Sequence, residues 1–289
     1  MQILKLIRIH QWTKNLFVFA PLFFSGQFLD KEKLVLSAFG FLCFCLAASS
    51  IYIINDLFDA EKDKLHPTKK DRPIASGKIS KPFAVVLFFI LITTSFTTSL
   101  FISKGLFAVI FSYFILNLLY SFGLKQISLV DIFIVSIGFV LRVAAGGVLT
   151  SIPVSHWLYI MTFLLALFIA MAKRRDDVLI LNETGSEMRK SVKGYNLEFI
   201  SSAISILCAV LVVSYLLYIT SPEVVARFEG KHPYISTLFV IMGVLRYLQI
   251  TLVQANSGSP SKILLKDLFI QLVLVLWVLF FITIIYFIK

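Results

Sequence analysis

Asn55-Asp56-x-x-Asp59-x-x-x-Asp63 closes an apolar run; Lys62 lies within this motif, and Lys64, Lys69, Lys70 and Arg72 follow at once. On a helix at about 100° per residue, Asp56, Asp59 and Asp63 fall within an arc of roughly 60°. Three carboxylates on one face repel each other unless a cation sits among them. An all-oxygen set suits Mg²⁺, which commonly joins one or two carboxylates to substrate phosphates. The stretch therefore predicts a metal–pyrophosphate site at a membrane surface. Topological charge explains the neighbouring lysines, but not an ordered acidic triplet beside Asn55.

The elements that must position this stretch are membrane helices. The chain has 289 residues, 58% of them hydrophobic and only 15% charged, with a mean hydropathy of +0.91. That composition excludes an ordinary soluble domain. Apolar runs long enough to cross a bilayer recur along the chain. They predict nine spans, near 16–30, 34–55, 82–102, 105–122, 129–150, 155–172, 199–219, 234–252 and 268–288. With the N-terminus placed in the cytoplasm, 19 of the 27 Lys and Arg fall in cytoplasmic segments and six on the other side. Arg142 and Arg246 lie within spans. The positive-inside rule thus supports a single transmembrane domain over residues 1–289, N-in and C-out. The net charge of +11 is then mostly topological, and nucleic acid is not the expected partner. No cleavable signal peptide is expected, because no small-residue cleavage site follows the first apolar run. Cys43, Cys45 and Cys208 lie in apolar runs without metal-ligand spacing and read as small core residues.

Further polar residues fall on the cytoplasmic side of this scheme. Gln11, Lys14 and Asn15 sit in an amphipathic segment whose Trp12 suits the headgroup belt; they are candidates to reach a substrate, with membrane anchoring as the alternative. Lys125 precedes the fifth span. Asp131 and Arg142 within that span are 11 residues apart, about three turns, so they share a face roughly 16 Å apart. Two such groups predict a polar cavity, or else separate pairing with neighbouring helices. Lys173-Arg174-Arg175-Asp176-Asp177 opens the longest polar stretch, read as a second phosphate-handling loop or a solvated loop ordered by ion pairs, with Lys173 and Asp177 paired i to i+4. Pro67 places the end of the acidic helix near Leu65. The histidines are scattered, and Arg246 has the position of a snorkelling residue.

With Asn55-Asp56-x-x-Asp59-x-x-x-Asp63 at the cytoplasmic end of the second span, the chain resembles the UbiA superfamily of intramembrane prenyltransferases. Within it, three stretches resemble the decaprenyl-phosphate phosphoribosyltransferase branch. They are His10 to Asn15 with Ala20-Pro21-Leu22, His66 to Lys70 with Arg72 to Gly77, and Lys173-Arg174 and Asp177 followed by Arg189-Lys190-Ser191 and Tyr195. Asp177 stands where that branch usually has Glu, and the second Asp-x-x-x-Asp of conventional prenyltransferases is missing. The resemblance implies an all-α fold of nine transmembrane helices around a central cavity open to the cytoplasm. It implies Mg²⁺ held by Asp56, Asp59 and Asp63, with Asn55 as an oriented partner. It also implies a cell-membrane enzyme that moves 5-phosphoribosyl from phosphoribosyl diphosphate to a polyprenyl phosphate and releases pyrophosphate.

One acidic motif suits the pyrophosphate end of such a donor, and Arg and Lys suit its 5-phosphate. Gln11, Lys14, Lys62, Lys69, Arg72, Lys173, Arg174 and Asp177 are the corresponding substrate-contact candidates, with Lys125, Asp131 and Arg142 as cavity residues. The lipid phosphate is already anionic at neutral pH, so no general base is expected. Two other readings stay open. One is transfer of a prenyl group from a prenyl diphosphate to an aromatic or other acceptor. The other is an anion carrier.

Overall fold

The computed structural model of the chain describes residues 2–64, 69–185, 190–228, 230–254, 263 and 266–287. The end of the acidic helix near Leu65, the His66-Pro67-Thr68 segment, Arg189 and the 256–260 connector lie outside them. Most of the described residues are helical, with no strand among them. Eight helices are long and apolar enough to cross a membrane, so this is a polytopic α-helical membrane protein. The chain divides into two compact units.

The first unit comprises residues 1–124 and 137–154. It opens with α1 (Gln2–Leu6), a 3₁₀ helix over Ile9–Phe19, and α2 (Ala20–Phe24). Then come α3 (Lys31–Lys64), α4 (Lys81–Ile102), α5 (Lys104–Phe122) and the larger part of α6 (Val130–Thr150). Ser80 and Ser103 cap α4 and α5 by accepting hydrogen bonds from first-turn amides. Phe44, Ile53, Leu106 and Ile110 are fully buried in this unit's core. At 1.5 Å per residue the 34 residues of α3 extend about 51 Å, well beyond an apolar layer of about 30 Å. Its polar end, Asn55 to Lys64, therefore overhangs the apolar layer without breaking the helix.

The segment expected to span 16–30 is built differently. Its helix begins at Ile9 and ends at Phe24, and most of it is 3₁₀. The tighter winding rises about 2.0 Å per residue, so 11 residues of 3₁₀ and five of α reach about 30 Å. This segment packs directly on α6. A Cβ on Gly146 would collide with the Val18 carbonyl, so only glycine permits that approach.

The second unit comprises residues 125–136 and 155–289. It contains the first residues of α6, then α7 (His156–Thr184), α8 (Leu197–Ile219), α9 (Pro222–Arg227), α10 (Thr237–Leu252) and α11 (Leu268–Ile282). Phe168, Ile200 and Ile204 are buried between α7 and α8, and Tyr247 packs on Phe168. Helix α7 corrects the expectation of a loop after residue 172. Lys173 to Thr184 continue the same helix, which ends on Gly185 in the left-handed conformation, φ 66°. Charge ends an apolar span there, yet Lys, Arg and Leu are good helix formers and nothing in the sequence breaks the helix before Gly185. Arg246 does more than snorkel: it grips Asp267, the N-cap of α11, at 2.7 Å and holds that carboxyl below its usual range.

Gly146→Ala should destabilise the protein by about 1–3 kcal/mol through overpacking, seen as a lowered melting temperature in detergent. Gly123→Ala, where an added Cβ meets nothing, should leave the melt unchanged.

Candidate active site

The overhanging end of α3 holds the acidic residues in three consecutive turns. Asp56 and Asp63 face inward and are 2% and 4% exposed, while Asp59 is half-buried. A buried carboxylate must be paired or it neutralises. The loop after α3 and the start of the chain supply the partners. Arg72 Nη1 donates to Asp56 Oδ1 at 3.0 Å and to Asp63 Oδ2 at 2.7 Å. Arg8 Nη2 donates to the same Asp56 Oδ1 at 2.6 Å, and its guanidinium lies 4.8 Å from the Tyr52 ring centre, one turn below Asp56. Arg8 was not among the sequence candidates. Its signal was the need of a buried acidic cluster for more positive charge than one loop arginine brings.

Two carboxylate oxygens thus converge on a single nitrogen, as they would on a cation. Their all-oxygen chemistry fits Mg²⁺. Among the described residues no group of three His, Cys, Asp or Glu side chains could hold a metal by itself. The remaining ligands of an ion here would be substrate and water oxygens, the usual situation for Mg²⁺.

A second feature of the first unit lies further along the 3₁₀ helix. Arg142, 5% exposed, donates through Nε to Asn15 Oδ1 at 2.7 Å, through Nη1 to the Gly138 carbonyl at 2.6 Å and through Nη2 to Tyr113 Oη at 3.1 Å. The rings of Phe44, Tyr113 and Phe139 surround it. It has no carboxylate partner among the described residues. Lys14 feels the charges of both Arg142 and Arg8 and makes no ion pair among the described residues. Gln11 is half-buried on the same 3₁₀ helix. Asn15 is buried and also donates to Cys45 Sγ at 3.1 Å. Asn55 and Lys62 lie on α3, and Lys69 in the loop that carries Arg72.

The second unit gathers Asp131, Arg174 and Asp177. Arg174 Nε donates to Asp131 Oδ2 at 2.6 Å and Nη1 to Asp177 Oδ2 at 2.8 Å. Ser191 Oγ and Tyr195 Oη donate to the two oxygens of Asp131 at 3.0 and 3.1 Å. Asp131 is fully buried, and burial together with the Asp131 charge pushes the Tyr195 phenol up to about 12. It is therefore a fixed donor at neutral pH. Its oxygen also accepts from the Leu129 amide at 2.6 Å, which locks Leu129 at φ 67°. Of the two expectations for Asp131 and Arg142, a polar cavity or separate pairing, separate pairing is what each residue's own contacts show. Each pairs separately, because groups on other elements lie closer than the roughly 16 Å between them along the helix. Arg174 also bonds Asp177, its i+3 neighbour. Lys125 and Lys173 are half-buried in this unit.

The UbiA prenyltransferase family model matches residues 16–273. The chain belongs to that family. It is 34% identical over 286 residues to the decaprenyl-phosphate phosphoribosyltransferase of Mycolicibacterium smegmatis, covering 96% of this chain and 90% of that protein. It is 33% identical over 279 residues to the enzyme of the same name from Corynebacterium glutamicum, covering 95% and 84%. A UbiA homolog from Archaeoglobus fulgidus, solved bound to GPP and Mg²⁺, superposes with a TM-score of 0.73 over 99% of both chains at 21% identity, which establishes the shared fold.

Asp131→Asn should leave Arg174 buried and short of charge. A loss of about 3–5 kcal/mol is expected, read as a large drop in thermal midpoint. Tyr195→Phe should cost about 1 kcal/mol in the same assay.

Proposed function

We propose that this UbiA-family enzyme transfers 5-phosphoribosyl from phosphoribosyl diphosphate to a polyprenyl phosphate and releases pyrophosphate. Likeness along almost the whole chain to enzymes named for that transfer carries the reading. The first unit's chemistry supports it. Two converging carboxylates face two arginines, and two further cations lie along the 3₁₀ helix, which suits a donor with phosphates at both ends.

Asp56 and Asp63 would hold Mg²⁺, with Asp59 beside them and Asn55 orienting the set. When bound, the ion supplies neutralisation of the charge that develops on the departing pyrophosphate. Arg72 and Lys69 bind diphosphate oxygens, and Lys14 binds a phosphate further in. These contacts hold the ribosyl C1 in line between leaving group and acceptor. The bond from C1 to the pyrophosphate oxygen breaks as an anionic oxygen of the lipid phosphate forms the new bond from the opposite face. No proton moves, so no general base is needed, and catalysis rests on positioning and electrostatics. In the second unit, Asp131, Arg174 and Asp177 order that unit's own polar end through Ser191 and Tyr195.

We place the 3₁₀ segment from Ile9 as the ninth crossing, which makes residues 1–289 one transmembrane domain. The Lys and Arg distribution supports a cytoplasmic N-terminus and an acidic cluster facing the cytoplasm, where a soluble diphosphate donor is available.

Membranes containing the protein should move labelled phosphoribose into a lipid extract in a divalent-ion-dependent reaction. Asp56→Asn should reduce it at least about 100-fold while the protein stays folded. No transfer to any polyprenyl phosphate by folded wild-type protein would overturn the assignment. Lys14→Met should raise the thermal midpoint by about 2–4 °C, because it removes repulsion from Arg142 and Arg8, and should also raise KM for the donor.

A further inference from the structure

Asp56 Oδ1 accepts two guanidinium hydrogen bonds at once, 2.6 Å from Arg8 Nη2 and 3.0 Å from Arg72 Nη1. The Arg72 nitrogen reaches Asp63 Oδ2 as well, at 2.7 Å. Those oxygens are the ones a divalent ion would take. An ion about 2.1 Å from Asp56 Oδ1 leaves no room for both guanidiniums on that atom. Arg8 is held in place by more than charge. Its backbone is left-handed, φ 52°, an uncommon conformation for a residue other than glycine, and its guanidinium rests over Tyr52.

Charge balance points the same way. Two carboxylates and two guanidiniums sum to zero. A divalent ion added alone leaves a largely buried cluster with two excess positive charges, which is costly. A diphosphate added alone meets arginines that are already paired. Only the two together bring the cluster back towards neutrality.

We propose that Arg8 and Arg72 are exchangeable internal cations. The metal replaces them on Asp56 and Asp63, and the freed guanidiniums grip the diphosphate of the incoming donor. This rests on the metal–diphosphate reading of the acidic stretch and adds Arg8 to the substrate-binding set. Metal and diphosphate then bind cooperatively, and the coupling is reciprocal.

The test uses the full chain in detergent, with Mn²⁺ as probe ion and inorganic pyrophosphate as probe anion. Bound Mn²⁺ is read from loss of the free-ion paramagnetic resonance signal, and folding is checked by thermal melting. In the absence of pyrophosphate, Arg8→Gln and Arg72→Gln should each bind Mn²⁺ about tenfold more tightly than wild type. Each should also lose most of the enhancement that pyrophosphate gives at fixed free Mn²⁺. Lys78→Gln, an exposed lysine of the same loop, removes equal charge without touching a carboxylate and should shift Mn²⁺ affinity far less. If both arginine variants bind Mn²⁺ no more tightly than Lys78→Gln, the exchange is wrong while the metal site stands. If Asp56→Asn and Asp63→Asn leave Mn²⁺ binding unchanged, the metal site itself is wrong and the exchange falls with it. Should Arg72→Gln fail to fold, Arg8→Gln alone decides.

Discussion

Carboxylates at the end of a membrane helix cannot stay buried and charged without a cation, and the first unit is arranged around that requirement. Asp56 and Asp63 project from one face of α3 where it overhangs the apolar layer. Arg72 reaches them from the following loop and Arg8 from the preceding segment. The 3₁₀ helix continues from Arg8 along α3, tied by Trp12 and Ile7 to Ser49 and by Asn15 to Cys45. Its far end is held on α6 through Arg142 and the bare backbone of Gly146. One electrostatic demand thereby sets the path of three elements.

The second unit meets a similar demand at Asp131. Asp131 receives a guanidinium, a hydroxyl and a phenol, all at hydrogen-bond length, and Arg174 is shared with Asp177. A buried pair satisfied in this way is strongly destabilising to break but has little left to offer a ligand. The contrast separates the two acidic clusters by chemistry. One is braced at both oxygens of Asp131 by a guanidinium, a hydroxyl and a phenol. The other is neutralised by two arginine side chains reaching in from outside α3.

Much of this was legible in the residues. The 56, 59, 63 spacing needs only helical geometry to place three carboxylates on one face, and hydropathy located the apolar helices to within a few residues at most ends. The misreadings have definite causes. Hydropathy marks where apolar character stops, so Lys173 to Thr184 read as a loop although the helix goes on. The helical segment expected near 16–30 starts earlier, at Ile9, because its 3₁₀ winding takes in polar Gln11, Lys14 and Asn15. Asp131 and Arg142 share a face on paper, yet pairing is decided by what other elements bring, and periodicity within one helix carries no information about that. Arg8 was counted as topological charge because its partner lies 48 residues away.

All four ionic side chains, Arg8, Asp56, Asp63 and Arg72, fall within one stretch of 65 residues, ahead of most of the helices. During synthesis Arg8 leaves the ribosome roughly 2–10 s before Asp56 at ordinary translation rates. For that interval it is a positive charge beside the membrane with no acid to meet, the kind of charge that biases how the following segment inserts. Once α3 is inserted, the same guanidinium acquires its carboxylate. The same side chain is unpaired early and paired late, so a substitution at Arg8 would act on insertion before it acted on the acidic cluster.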